Sequence, residues 1–387
     1  MKILHCCLAA FYIDNYGYQE NILPKMHKIQ GHDVEILAST ETYLNNKTLG
    51  YVDAKKYKNE NGILVNRVPY VKWVPNKLVR KLRIYNGINE TLNHFNPDII
   101  FLHDFQFLSI IQIVKYAKKR NVKIYADGHT DFINSAKNWV SKNILHKIIY
   151  KYCAKKIEPY VAKFYGTLPL RVKFIRDVYG INPKKIELLE LGADDSSFDI
   201  EQKDNLRKKF RKREGIDEDD FVIFTGGKID RRKNIHLLLE AVNNLKEHKK
   251  IKLLIFGLPD TDMEHEISNL IKQQNIIYLG WLSSDKIYEV QFASDLGFFP
   301  GTHSVLWEQT VGVGLPSIFK KWVDINHLDV GGNCQFLEDI TVKSISDKIL
   351  EIFQDKKLYS NMKTVASTNG VEMFSYSQIA KRAIEHF

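Results

Sequence analysis

The stretch TGGKIDRRKN, residues 225–234, places two glycines and two lysines where an apolar run gives way to helical periodicity. Gly226 and Gly227 allow a ligand close to the backbone. Lys228 and Lys233 can converge on a diphosphate. Each unit charge pair at ~4 Å is worth about 4 kcal/mol at an effective dielectric near 20, before desolvation. An ordinary strand–turn–helix with solvated lysines looks the same. A second stretch, Ala293–Phe319, runs from an apolar segment through Pro300-Gly301-Thr302-His303-Ser304 into a helical pattern. The first amides of a helix starting at Ser304 would form an anion site. Glu308 and Gln309, about one turn on, can bond sugar or ribose hydroxyls. The plain alternative is a capped helix with Glu308 in solvent. In a third stretch, Tyr125–Ala136, an apolar run ends in Asp127, Gly128, His129, Thr130 and Asp131. His129 is placed either to act beside a reacting bond or to cap a following helix. His103-Asp104 is a rival at the end of the preceding run, readable equally as a structural surface pair.

These residues need elements to carry them. Lys2–Ala9, His32–Ala38, Asp98–Leu102 and Val122–Ala126 read as strands, and Tyr18–Ile29 and Phe107–Ala117 as helices, with Gly31 stopping the first. The second half repeats the alternation. Strands are expected at Phe221–Thr225, Lys252–Phe256, Ile276–Leu279, Leu296–Phe299 and Ser317–Phe319, and helices at Ile235–Leu245 and Asp285–Ala293. Alternating strand and helix predicts parallel sheets covered on both faces. The fold class is therefore α/β, with two doubly wound Rossmann-like domains facing across a cleft. The polar stretch Asp194–Asp220 reads as the link. The predicted division is 1–200 for an N-terminal domain, 201–375 for a C-terminal domain, and 376–387 for a last helix packing back on the first. Ligands of such sheets bind beyond the carboxyl ends of the strands.

The net charge of +10 is one-sided: residues 1–200 carry +11 and the remainder −1. In the basic half Lys72, Trp73, Lys77, Arg80 and Lys81 cluster, and Trp139 sits near further lysines and apolar residues. Basic residues among interfacial aromatics suit an anionic membrane surface, though a solvated face has the same composition. No apolar run approaches the ~20 residues that span a bilayer. MKILHCCLAAFYID reads as a first strand rather than a leader peptide. The four cysteines lack metal-ligand spacing, and with that usage a cytoplasmic location is expected. Asp260-Thr261-Asp262 could hold a metal–nucleotide complex, but its place before a helix favours a cap. No metal and no cofactor are expected.

In their order and spacing, the second-half motifs resemble the retaining glycosyltransferases of family 4 (group 1), which have the GT-B fold. That family carries G-[RK]-x(4)-K-[GN] after a strand, matched by Gly227-Lys228 and Lys233-Asn234. It also carries D-x(4)-P, matched by Asp295 and Pro300, and a late G-x-P, matched by Gly314-Leu315-Pro316. The family's two glutamates fall on Gly301 and Gln309, so that pair is absent. The resemblance extends over nearly the whole chain, through Gly17–Asn21, Gly31–Leu37, DIIFLHD and FSYSQIAKR. It implies catalytic roles for His129, Lys228 and Lys233. It further implies donor contacts at Gly17, Gly226, Gly227, Leu282, His303, Ser304, Val305, Glu308 and Gln309.

The expected reaction moves a sugar from a nucleoside diphosphate sugar, UDP- or GDP-linked, to a hydroxyl of a saccharide or lipid-linked acceptor, with retention. Bacterial surface polysaccharide or glycolipid assembly at the inner membrane face is the expected setting. Another nucleotide-sugar enzyme of this fold, an epimerase, is the alternative, as is a non-catalytic basic binding module. Nucleic acid is not an expected partner, since no helix-turn-helix, zinc-finger or RNA-recognition signature occurs.

Overall fold

The computed structural model describes residues 1–44, 48–131, 135, 139, 141–322 and 324–385. Much of the motif at Tyr125–Ala136 is included, but residues 132–134 and 136 lie outside the described residues, as do 386 and 387 of the expected last helix. The described chain clusters into two compact units, Met1–Glu190 with Ile379–Phe387, and Leu191–Gln378. The division thus falls ten residues before the expected one, and the return to the first unit begins at Ile379 rather than 376. Ala193 exchanges backbone hydrogen bonds with Phe374 and Tyr376, which ties the start of the second unit to its end.

The first unit is built on an eight-stranded sheet. Its spatial order is Ile186–Leu188, Val161–Gly166, Lys123–Gly128, Ile99–His103, Lys2–Cys7, Asp33–Ser39, Leu64–Val68, Lys56–Lys58, with only the last pair antiparallel. Strand order reverses between Lys2–Cys7 and Ile99–His103, which creates a switch point at their carboxyl ends. Both strands are apolar because helices cover both faces. Ile99–His103 is buried throughout, so the polar His103 at its end must find partners inside the protein.

The second unit has six parallel strands, ordered Ile276–Tyr278, Ile251–Phe256, Phe221–Gly226, Leu296–Phe299, Ser317–Lys320, Cys334–Leu337. Its switch point lies between Phe221–Gly226 and Leu296–Phe299. The expected link at 194–220 is different in kind. It contains a helix, Lys203–Glu214, packed on the second unit. Arg207 and Arg211 of this helix pair with Asp295 at 2.7 and 2.6 Å. Arg211 is fully buried and also donates to the carbonyls of Ala293, Asp217, Glu218 and Asp220. The polar stretch that reads as a link therefore includes a core ion pair.

Candidate functional site

Each unit carries its candidate residues at its own switch point. In the second unit, Phe221–Gly226 delivers the Gly-Gly turn, with Gly227 at φ +102°. A Cβ on Gly226 would overlap the Phe256 ring and carbonyl, so the residue must be glycine. A short 3-10 turn, Arg231–Lys233, leads to the helix Ile235–Asn244. Asn234 sits at φ +52° and donates its side-chain amide to Pro300 O at 3.0 Å.

Lys233 ties this turn to the neighbouring loop. Its ammonium donates to the carbonyls of Thr302 (2.7 Å) and His303 (3.1 Å). Thr302 N donates to Arg232 O, and Trp322 Nε1 to Gly301 O. The cleft so formed is lined by Thr225, Gly226, Lys233, Pro300, Gly301 and Ser304, among others. Burial lowers the Lys233 ammonium to about 8. Lys228 instead is exposed and pairs with Asp260 at 3.0 Å. Asp260 is therefore not the cap expected of it: the helix Glu264–Leu270 has Met263 at its N-cap and no side-chain cap bond.

The loop at Gly301 explains one departure from the family pattern. Any Cβ at 301 would overlap the backbone of Lys233, so no glutamate fits there without moving the turn. The other donor-side expectations are corrected in part. The helix begins at Leu306, not Ser304, and spans only seven residues to Gly312. Glu308 is not in solvent, and its Oε2 has no hydrogen-bond partner among the described residues. It is fully buried, and its Oε1 accepts from His303 Nε2 (2.7 Å) and His327 Nε2 (3.2 Å). Burial pushes its carboxyl up, but the two imidazoles outweigh burial and bring it to about 2. Gln309 donates to Gln291 Oε1 at 3.1 Å. Val305 is exposed, and Leu282 is half-buried against the core of the unit.

In the first unit, the strand ends at His103 and Asp127 are cross-linked. Asp104 N donates to Asp127 Oδ1 at 3.1 Å, and His129 N donates to Asp104 Oδ1 at 3.1 Å. Asp104 adopts φ +59°, a conformation an aspartate tolerates at roughly 1–3 kcal/mol. His103 and Asp104 are buried, not a surface pair. The His129 ring lies 3.3 Å from Asp127 Oδ1 and 4.0 Å from Glu20 Oε1. Burial would lower this imidazole. Asp127 and Glu20 outweigh it and lift His129 to about 9, so it stands as a cation at neutral pH. Gly17 is exposed in the loop before the helix Gln19–Ile29. Gln19 from that helix donates to Asp127 Oδ2 at 3.1 Å.

His103, Asp127 and His129 bring ligand atoms within 4.8 Å of one another, as do Asp217, Asp219 and Asp220. Hydrogen-bond distances join His103 to Asp127, and Lys250 balances the aspartates. His5, His27 and His327 are participants that sequence reasoning missed. A histidine inside an apolar strand, as at His5, was the available signal. Of the expected surface residues, Trp73 is 80% and Trp139 70% exposed, and Lys72, Lys77, Arg80 and Lys81 are exposed.

The chain is similar to known proteins in sequence and in fold. Residues 207–368 match the family model for glycosyl transferases group 1. The chain is 22% identical over 295 residues to an uncharacterized glycosyltransferase of Methanocaldococcus jannaschii, covering 70% of this chain and 67% of that protein. It is 18% identical over 282 residues to the mannosylfructose-phosphate synthase of Agrobacterium fabrum, covering 69% of this chain but only 60% of the synthase. A glycosyltransferase from Rickettsia africae superposes with a TM-score of 0.67 at 17% identity, covering 99% and 97% of the two chains. Anabaena HepE in complex with UDP superposes at 0.66 with 14% identity, covering 100% and 99%. The UDP-GlcNAc 2-epimerase of Neisseria meningitidis, bound to UDP-GlcNAc, superposes at 0.63 with 12% identity, covering 100% and 99%. The fold is GT-B.

Proposed function

We propose that this chain is a glycosyltransferase that takes a sugar from a nucleoside diphosphate sugar and passes it to an acceptor hydroxyl with retention. One observation carries the reading. The Gly226–Lys233 turn and the Pro300–Ser304 loop, which the sequence separates by some 70 residues, meet at the switch point of the second unit. The Gly226 backbone and the half-buried Lys233 line one cleft, and exposed Lys228 stands on the same turn, a set that would suit a diphosphate. Lys233 and Lys228 would stabilise the departing diphosphate, and catalysis would rest on that and on positioning. His129 is our candidate for a role toward the transferred sugar, as the motif resemblance implies. Uridine is the base we favour, because HepE is similar in fold and its structure holds UDP.

A thermal-shift screen of UDP-, GDP-, ADP- and dTDP-sugars tests the reading. Stabilisation by one nucleotide class, lost in Lys233→Ala, is the expected result; no shift with any of them would sink it. The epimerase fold neighbour makes that activity the second reading. Product analysis separates the two, because an epimerase converts its sugar nucleotide with no acceptor.

We further propose a lipid-linked acceptor and peripheral attachment to the cytoplasmic membrane face. Ile144, Ile148 and Tyr152 are exposed at four-residue spacing along the helical run 141–157. Exposed Lys142, Lys147, Lys155 and Lys156 flank them. This is an apolar stripe with basic borders, the pattern of an interfacial helix. No helix among the described residues is long and apolar enough to cross a membrane.

A further inference from the structure

Thr225 is a polar residue at the end of an apolar strand. Residues 221–224 of Phe221–Gly226 are apolar and buried, and Thr225 itself is only 1% exposed. Strand alternation puts its side chain on the face of Ile223, which packs with Ile235 and Leu238 of the helix Ile235–Asn244. Its Oγ1 is buried and has no hydrogen-bond partner among the described residues. Valine has nearly the same shape, suits a buried strand and leaves no polar atom behind. A desolvated, unbonded hydroxyl destabilises the fold that contains it, so an orphan of this kind calls for a partner the chain does not supply.

The surroundings say what kind of partner. Thr225 lines the same cleft as Gly226, Lys233, Gly301 and Ser304. No carboxylate is among the lining residues, so the wall of the cleft does not neutralise the Lys233 charge. Two of the three ammonium N–H groups serve Thr302 O and His303 O. The helix Ile235–Asn244 also begins at this cleft, and no side chain caps it: the cap residue Asn234 turns its amide to Pro300 O instead. A cation, an uncapped helix start and an unbonded hydroxyl all offer donors under positive potential, and the group that suits them is an anionic oxygen. The space within the cleft is about 10 Å³, room for one oxygen-sized group.

We propose that Thr225 is a further binding residue of the second unit: its hydroxyl donates to one inward-pointing phosphate oxygen of the nucleoside diphosphate, in the cleft that Lys233 lines. This deepens the function proposed above and rests on it. The phosphate itself stays at the mouth of the cleft and sends a single oxygen inward. The lysines supply the charge that draws the diphosphate, and Thr225 adds a directional bond that fixes where the phosphate sits. The same hydroxyl is a burden to the ligand-free protein. Its removal therefore moves binding and stability in opposite directions, which the removal of a purely structural hydroxyl would not do.

The test titrates UDP, GDP and ADP into the full chain by calorimetry, with the wild type, Thr225→Val and Thr225→Ser. Thr225→Val should weaken the nucleotide that the wild type binds by about tenfold or more, the usual size of one hydrogen bond to a charged group. Its ligand-free melting temperature should equal or exceed that of the wild type. Thr225→Ser, which keeps the hydroxyl, should bind as the wild type does. A Val variant that binds as tightly as the wild type overturns the proposal and leaves the nucleotide reading standing. A wild type that binds none of the three overturns both. If the Val variant melts well below the wild type or does not fold, a crystal structure of the wild type with its nucleotide decides. Thr225 Oγ1 within about 3 Å of a phosphate oxygen upholds the proposal, and a water in that place overturns it.

Discussion

Lys233 is the residue on which most of the proposed chemistry turns. Its ammonium already satisfies two loop carbonyls, so the charge is preorganised before any anion arrives. Lys233→Ala should lower turnover by about 10² or more, the usual effect of losing a preorganised charge donor. Lys228→Ala should do the same, through a charge that now rests on Asp260. Steady-state rates with both variants folded check this; near-normal turnover in either removes it from the site. A pH dependence follows from the lowered ammonium. Below about 8 Lys233 is charged and holds the donor; as pH rises through 8 the charge is lost and donor affinity should fall. Lys233→Arg, always charged, should flatten that limb in a binding titration. Glu308 works in the opposite sense. Its folded value lies below the ordinary 4.5, so its contribution to stability is complete above 4.5 and lost as pH falls toward 2. Glu308→Gln, followed by urea melts across that range, should abolish this acid-side loss.

At the scale of elements, the helix Lys203–Glu214 and the loop at Gly301 carry the clearest consequences. Removing a buried donor leaves its acceptors unsatisfied, at about 1–3 kcal/mol. Arg211→Ala should therefore destabilise the chain by at least about that amount in urea, because buried Arg211 serves the carbonyls of Ala293, Asp217, Glu218 and Asp220, while Asp295 keeps its pair with Arg207. Arg213→Ala on the same helix should change little, since its pairs are exposed. Gly301→Ala should displace the Lys233 turn and abolish the nucleotide-dependent thermal shift. A Gly301→Ala protein that binds nucleotide normally would show that the turn tolerates a side chain there. Both predictions concern packing rather than charge patterning, which is why neither motif reveals them.

For the whole molecule, the one-sided charge is the property to test. Lys72, Lys77, Arg80 and Lys81 are exposed beside Trp73, and at ~1 kcal/mol each would supply about 4 kcal/mol toward an anionic bilayer before screening. The wild type should co-sediment with anionic vesicles at low salt and release at high salt. The variant with all four changed to Ser should not. If neither sediments, the acceptor is soluble and the charge is a solvated face. With lysines assigned to the diphosphate, EDTA should leave turnover largely unchanged. An absolute Mg²⁺ or Mn²⁺ requirement would overturn that assignment and return attention to Asp260 and Asp262.

Strand and helix alternation was legible from the chain because both sheets are buried on two faces, so their strands read as uninterrupted apolar runs. Thus Leu296–Phe299 lies where its pattern places it, and Phe221–Gly226 extends its expected strand by one residue. The Gly226–Lys233 turn was legible as a turn too, because its paired glycines stand where an apolar run gives way to helical periodicity. Only tertiary structure decided the fate of the buried polar groups. Glu308, Arg211, His5 and His103 look in sequence like surface residues or isolated polar interruptions. Each meets partners distant in the chain: His5 meets His103, Arg211 meets Asp295, and Glu308 Oε1 meets His327. A buried charge or imidazole is tolerable only if the fold delivers its partner, and local spacing carries no record of that delivery.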